Sequence, residues 1–273
     1  MSKYMFPPFH IPESLFVELK KLGPLLDAAV QVHDLGRRIV ADHFHEKPLD
    51  SDLKIVAYVI FSKGFKTFQS AMNLCRSGCG SDALSLCASL FENYIDFRYI
   101  AAAPVRRSRR YIDYEQVEKY YQLQKVLRHK RLPKGRRAKY RGYESTIRPQ
   151  TIKLLKYFKD ETRGWSQKSL YQRAKAVGAG LEYQELYWVF CGHKHTLPAA
   201  IGDLAVGDTE LVYGPNIKGV YHGALYSAEY FLKLCNHIQQ SLHFGMTSEV
   251  RSNWDALMNA AAEVQKACPN LCK

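Results

Sequence analysis

Apolar residues recur at steps of three and four along most of this chain, a period that packed helices bury and sheets do not. In SLFVELKKLGPLLDAAVQVHDLGRRIVADHF, residues Leu15, Leu19, Leu22, Leu26, Val30 and Val32 keep that spacing up to the last step, and Gly23 with Pro24 marks a joint between two helices. After Pro48, DSDLKIVAYVIFSKGFKTFQSAMNLCRSGCG opens on Asp50 or Ser51 as N-cap and closes at the Gly78–Gly80 stretch. Ser81 and Asp82 are expected to cap the next helix, ALSLCASLFENYIDFRYIAAAP, which Pro104 ends, so that the two segments form a helical hairpin.

The stretch RRSRRYIDYEQVEKYYQLQKVLRHKRL reads as a further helix with a tyrosine-rich face, Tyr111, Tyr114 and Tyr121. PKGRRAKYRGYES then loses apolar periodicity and reads as a basic, mobile loop. Helices resume at RPQTIKLLKYFKDET, at SQKSLYQRAKAVG and from Glu182, and YSAEYFLKLCNHIQQSLHF and SEVRSNWDALMNAAAEVQKA close the chain. Only DTELVYGPNIKGVYHG mixes β-formers with turn residues, as a short hairpin or an ordered loop. The expected fold is all-α: one helical domain over residues 1–273, with N-terminal helical hairpins at 12–103, a basic insertion at 104–148 and C-terminal helices at 149–268.

At 273 residues and 47% hydrophobic content the chain can bury a sizeable core without a staple. Its apolar runs fall short of the roughly 18 to 20 residues that span a bilayer, and its N-terminus has no secretory pattern, so a cytoplasmic, non-membrane protein is expected. Seven cysteines, an odd number spread through helical patterns, suit reduced thiols. Cys75 with Cys79, and Cys268 with Cys272, lack the two-residue knuckle of zinc sites, so no metal is assigned. Walker-type loops, a dinucleotide fingerprint and a Gly-x-Ser-x-Gly elbow are all missing, and no cofactor is expected.

Net charge is +13, but between Pro104 and Arg148 there are 15 Lys or Arg against 4 Asp or Glu, so this segment carries +11 of it. Arg106, Arg107, Arg109 and Arg110, then Arg128, Lys130, Arg131, Lys134, Arg136, Arg137, Lys139 and Arg141, are the candidate nucleic-acid contacts. They flank a helix with tyrosines, which joins phosphate-seeking cations to rings able to stack on unpaired bases. A solvated charged face, or a docking surface for an acidic protein, is the competing reading.

Chemistry-bearing residues cluster on two other helices. Glu92 and Asp96 are one turn apart among Leu86, Leu90 and Ile95, and a carboxylate there needs a partner, with Arg76, Arg98 and Arg173 available. Tyr187, Cys191 and His195 follow at steps of four and share a face if the helix persists past Gly192; His195 is then either a functional imidazole or a helix-end histidine favoured by the macrodipole.

The Gly-Ser-Asp-Ala turn with SLFENYIDFRYI, followed by Trp165, Arg173, Tyr183, Tyr187 and His195, resembles a bacterial all-helical family of unknown function over roughly residues 55–200. Ala88 or Ser89 stands where that pattern has an arginine, and Cys191 where it has a serine. The family's helical character is similar to that of HEPN domains, many of them metal-independent ribonucleases of toxin and phage-defence systems. The resemblance implies a 2′-hydroxyl attacking its neighbouring phosphate, with a histidine moving the proton and an arginine stabilising charge. On that reading His195, Glu92 and Tyr187 line the site and Arg173 or Arg98 supplies the cation. Arg38 and His45 match the HEPN Arg-to-His spacing as a reserve pair, seven residues apart and facing one groove from a single helix. The expected partners are nucleic acid, RNA ahead of DNA, a second copy of the chain, and a partner protein of a defence system. A module that recognises nucleic acid or protein without cleaving is the alternative, and the two departures at 88/89 and 191 are what such a member would show.

Overall fold

The computed structural model describes residues 12–195, 205–206, 210–211 and 215–272. Helix α1 (Glu13–Lys21) meets α2 (Gly23–Ile39) at the buried Leu22, with Pro24 in the first turn of α2, where its missing N–H has no partner to lose. A π-turn (Val40–Phe44) ends this arm. Helix α3 (Asp52–Arg76) starts at Ser51, whose hydroxyl accepts from the Lys54 N–H at 3.3 Å. Helix α4 (Gly80–Ala101) follows a turn at Gly78, and its N-cap is Cys79 with no side-chain cap; the expected Ser81 and Asp82 already lie inside the helix.

Helices α4 and α10 (Val220–Leu242) form the centre: thirteen of 22 residues in the first and thirteen of 23 in the second are buried, so both are apolar on nearly every side. They cross on their smallest residues. A Cβ at Gly80 would stand 2.2 Å from the Val220 nitrogen and 2.3 Å from the Gly219 carbonyl carbon, and one at Gly223 would stand 2.9 Å from the Ala83 Cβ. Only glycine permits that approach. Helices α2 and α3 close a second layer over stacked rings, with Phe231 of α10 lying 5.0 Å from Phe68 and 5.5 Å from Phe61 and Phe65. Helix α11 (Thr247–Ala267) packs along α2 and α10 through Val250, Leu257, Ala261 and Val264.

Helix α5 (Pro104–Arg128) leaves the end of α4 and turns at Pro133 into α6 (Lys134–Leu155). The expected mobile loop at 133–145 is thus helical, continuous with the segment predicted to begin at Arg148. Its inner face, Arg137, Tyr140, Glu144, Ile147, Thr151 and Leu154, repeats at three and four, but its residues are mostly polar and so give no apolar signal. It is zipped to α5 by hydrogen bonds instead: Gln124 donates to Glu144 at 2.8 Å, Gln116 to Gln150 at 3.2 Å, and Arg137 to the Leu127 and His129 carbonyls at 2.7 and 3.0 Å. Phe158 is buried where the chain leaves α6; Tyr121 donates to its carbonyl at 2.8 Å.

A 3-10 turn (Glu161–Arg163) and α7 (Leu170–Ala176), closed by a Ser169–Gln172 capping box, lead to α8 (Gly180–Glu182), a π-turn (Tyr183–Tyr187) and α9 (Trp188–Lys194). Strands β1 (Ala205–Val206) and β2 (Glu210–Leu211) pair antiparallel. Of the 208–223 stretch expected to be hairpin or loop, this pair takes only 210–211, residues 212–214 lie outside the described ones, and α10 begins at Val220, earlier than predicted. Among the described residues the fold is all-α with one minimal strand pair.

Two substitutions test this packing. Gly80→Ala is expected to destabilise by about 3 kcal/mol or more, because the new methyl meets backbone rather than a movable side chain. Gly142→Ala, where nothing lies within 4 Å, is expected to stabilise by about 0.5–1 kcal/mol if 134–155 is a helix. Denaturant unfolding measures both; a neutral Gly80→Ala or a destabilising Gly142→Ala would contradict these two features.

Candidate functional site

Glu92 and Asp96 lie on the edge of α4 that leaves the core, one turn apart, and each meets a different set of partners. The Tyr187 phenol donates to Glu92 Oε1 at 2.7 Å, and Lys194 Nζ stands 3.6 Å from the same oxygen. Tyr187 is held by rings, stacked on Tyr183 at 5.0 Å and 5.3 Å from Phe91. Burial, and then the hydrogen bond to Glu92, keep its hydroxyl well above the usual phenol range, so it remains a neutral donor. The π-turn sets this geometry, since it ends at Tyr187 and α9 then carries Lys194 back two turns later.

Asp96, one turn further on, has other partners. Arg173 Nε lies 2.6 Å from Oδ1, the Trp165 indole N–H donates to Oδ2 at 3.4 Å, and Arg173 also donates to Ser166 Oγ at 3.0 Å and the Lys168 carbonyl at 2.8 Å. Burial raises the Asp96 carboxyl above its ordinary value, while Arg173 and Trp165 pull it back. Arg98 donates to the Tyr94 hydroxyl at 2.6 Å. Behind it, burial, and then the nearby Arg98 charge, push His237 down to about 4, which keeps that imidazole neutral.

The structure therefore brings Glu92 and Tyr187 together and distributes the other expected members elsewhere. Arg173 serves Asp96, Arg98 serves Tyr94, and the cation at Glu92 is Lys194 rather than Arg76, Arg98 or Arg173. His195 is exposed one residue past α9, with its backbone N–H on the Cys191 carbonyl at 3.0 Å. Sequence reasoning misses Lys194, although it lies seven residues, two helical turns, from Tyr187. The reserve pair does not line one cleft: Arg38 lines an open one of about 630 Å³ with Gln31, Asp34, Arg37, Ala41 and Asn253, and His45 is not among its residues. The π-turn at 40–44 breaks the helical register that the seven-residue spacing assumes, leaving His45 on extended backbone, 65% exposed and 4.0 Å from Glu46.

The twelve basic candidates divide into two groups. Three turn inward: Arg107 donates to the Tyr99 carbonyl and lies over its ring, Arg110 donates to the Tyr157 carbonyl at 2.5 Å, and Arg137 caps the end of α5. Arg106, Arg109, Arg128, Lys130, Arg131, Lys134, Arg136, Lys139 and Arg141 are exposed. Among the described residues, only Arg109 of these nine has a carboxylate within ion-pair distance, Asp113 at 3.0 Å. The tyrosine face expected to accompany them points inward: Tyr111 packs on Trp165 at 5.2 Å, Tyr114 on Phe158 at 5.3 Å, and burial pushes the Tyr111 phenol up to about 12.

All seven cysteines are free thiols. Among the described residues, no cluster of three or more His, Cys, Asp or Glu is placed to hold a metal, and no helix is long and apolar enough to cross a membrane. Comparison with known proteins gives a match to a family of unknown function (DUF5677), over residues 54–210. That span runs from α3 to β2 and holds both Glu92 and the α5–α6 hairpin. No curated protein and no solved structure matches the chain.

Removing the guanidinium with Arg173→Met is expected to cost roughly 3 kcal/mol near neutral pH, because it strands the Asp96 carboxylate in a poorly hydrated site. The pH dependence has a definite sign. A carboxyl whose folded-state value lies above its unfolded one binds a proton more readily when folded, so stability is lost as pH rises through that window and regained on acidification. The deficit of the variant relative to wild type should shrink as pH falls towards about 4, in unfolding curves recorded across the acid range; a deficit that is constant with pH would assign the loss to packing alone.

Proposed function

The chain belongs to this family of unknown function (DUF5677), which assigns it no activity, and from its own side chains we propose that it is a nucleic-acid-binding module, RNA ahead of DNA, that uses the exposed face of the α5–α6 hairpin. One observation carries the reading: ten of the thirteen exposed cations on this hairpin have no carboxylate within ion-pair distance among the described residues, the exceptions being Arg109, Lys119 and Lys125, so their charge is left for an external anion. Two zipped helices carry all of those cations but Lys130 and Arg131, which lie in the turn between them, so binding has little backbone left to order. Such cations displace the counterions condensed on a nucleic acid's phosphates, and log affinity then falls with log salt at a slope proportional to the number of phosphates neutralised. RNA stands ahead of DNA on the resemblance to HEPN domains alone.

Recognition stands ahead of cleavage because the charged groups around α4 already serve one another: Glu92 takes Tyr187 and Lys194, and Asp96 takes Arg173. In EDTA, purified protein is expected to retain RNA intact. Cleavage that His195→Ala or Glu92→Gln abolishes would replace this reading with the nuclease one.

Binding is tested by changing Arg136, Lys139 and Arg141 to Gln together, leaving Arg137 in place because it holds the hairpin shut. Affinity for RNA should fall, and the slope of log affinity against log salt should become shallower by up to about 2, at roughly 0.7 for each single-strand phosphate that is no longer neutralised. Equal affinity and an unchanged slope would remove the hairpin as the binding surface.

A further inference from the structure

We infer that the α6 side of the hairpin is a stacking platform for unpaired bases, built on Tyr143 and Tyr157, which makes single-stranded nucleic acid the ligand rather than duplex. This rests on the reading that the hairpin binds nucleic acid, and it names the form that is bound. The two rings are 55% and 56% exposed, the most open tyrosines in the described part of the chain, while the tyrosines of α5 are turned into the fold. Each ring has an ammonium over it, Lys139 at 6.0 Å from Tyr143 and Lys156 at 4.7 Å from Tyr157. A tyrosine flanked by a lysine and open to water offers a stacked base a π-face and its phosphate a cation in one place.

The register of α6 lines these groups up. Arg136, Lys139, Tyr143, Gln150 and Lys153 fall on a repeat of three and four along one flank, adjacent to the seam that faces α5; Tyr157 follows at the same spacing in the turn just past Leu155, and all six are exposed. Tyr143 and Tyr157 are fourteen residues apart, and the helical part of that span, Tyr143 to Leu155, alone rises roughly 18 Å at 1.5 Å per residue. Stacked neighbours in a duplex strand are only about 3.4 Å apart. The rings therefore suit two separate bases of one strand, with cations between and beyond them for its backbone. In a duplex those base faces are covered by their neighbours, and two isolated rings gain nothing from it.

The test compares fluorescein-labelled single strands of RNA and DNA, about 12 nucleotides long to cover the span of one such site, with the matching duplexes. Anisotropy at fixed salt is recorded for wild type, Tyr143→Ala, Tyr157→Ala, the two Phe variants, and the Arg136/Lys139/Arg141→Gln triple. Each Ala variant is expected to lose at least about fivefold in affinity for single strands, with duplex affinity unchanged; the Phe variants keep the ring and should bind like wild type. The same ring dependence is expected on RNA and DNA, since stacking needs no 2′-hydroxyl. Both positions are exposed, and thermal melting that matches wild type checks that the fold is kept. Single-strand affinity unchanged in both Ala variants, or lowered equally for single strand and duplex, overturns the stacking inference, and so does wild type that binds duplex as tightly as single strand. If the triple variant still weakens binding in those cases, the hairpin reading survives; if wild type binds no nucleic acid, that reading fails and takes this one with it.

Discussion

The crossing of α4 and α10 sets the position of everything else. Gly80 and Gly223 let the two helices approach to distances that no Cβ would allow, and the aromatic layer of Phe61, Phe65, Phe68 and Phe231 fastens α3 to α10 beside that crossing. With α4 held from that side, only its far edge is left for polar residues. Glu92 and Asp96 lie there, and each takes a partner supplied by another part of the fold, whereas Arg98 bonds Tyr94 of the same helix.

Those partners arrive from distant sequence positions and divide the edge into separate networks. Arg173 and Trp165 converge on Asp96 from the segment after the hairpin, while Tyr187 and Lys194 reach Glu92 from the far end of the π-turn and α9. Each network neutralises its own charge. That is a reason for stable side-chain placement, and it leaves little uncommitted charge for transition-state chemistry on this edge. The hairpin differs in this respect, because apart from Arg107, Arg110 and Arg137, which bond backbone carbonyls, its cations stay outside and most of them meet no carboxylate among the described residues.

The α5–α6 pair also shows how a helix escapes notice. Its interior positions carry Arg137, Tyr140, Glu144 and Thr151, so the three-and-four repeat is present in space but not in hydrophobicity. The same polarity explains why the tyrosines face opposite to expectation. Tyr111, Tyr114 and Tyr121 look in sequence like an outward stripe beside cations, yet they supply the apolar contacts that anchor α5 to Trp165 and Phe158. The open rings lie instead at Tyr143, in the stretch expected to be loop, and at Tyr157, just beyond the end of α6.

By itself the sequence determined the helical class, the joints at Pro24 and Pro104, the Ser51 cap, and the concentration of positive charge between residues 104 and 148, because period, capping and charge are local properties of the chain. It also singled out Glu92 with Tyr187, from a carboxylate on an apolar helix and a tyrosine near the end of another. Only the tertiary structure decided which cation meets which carboxylate, that Lys194 closes on Glu92 where His195 is expected, and that a π-turn interrupts the helix between Arg38 and His45. Each of these depends on a π-turn or an interhelical approach, and a shift of one residue rotates a side chain by about 100°. No periodicity in the sequence records such a shift, since it is set by how distant helices pack.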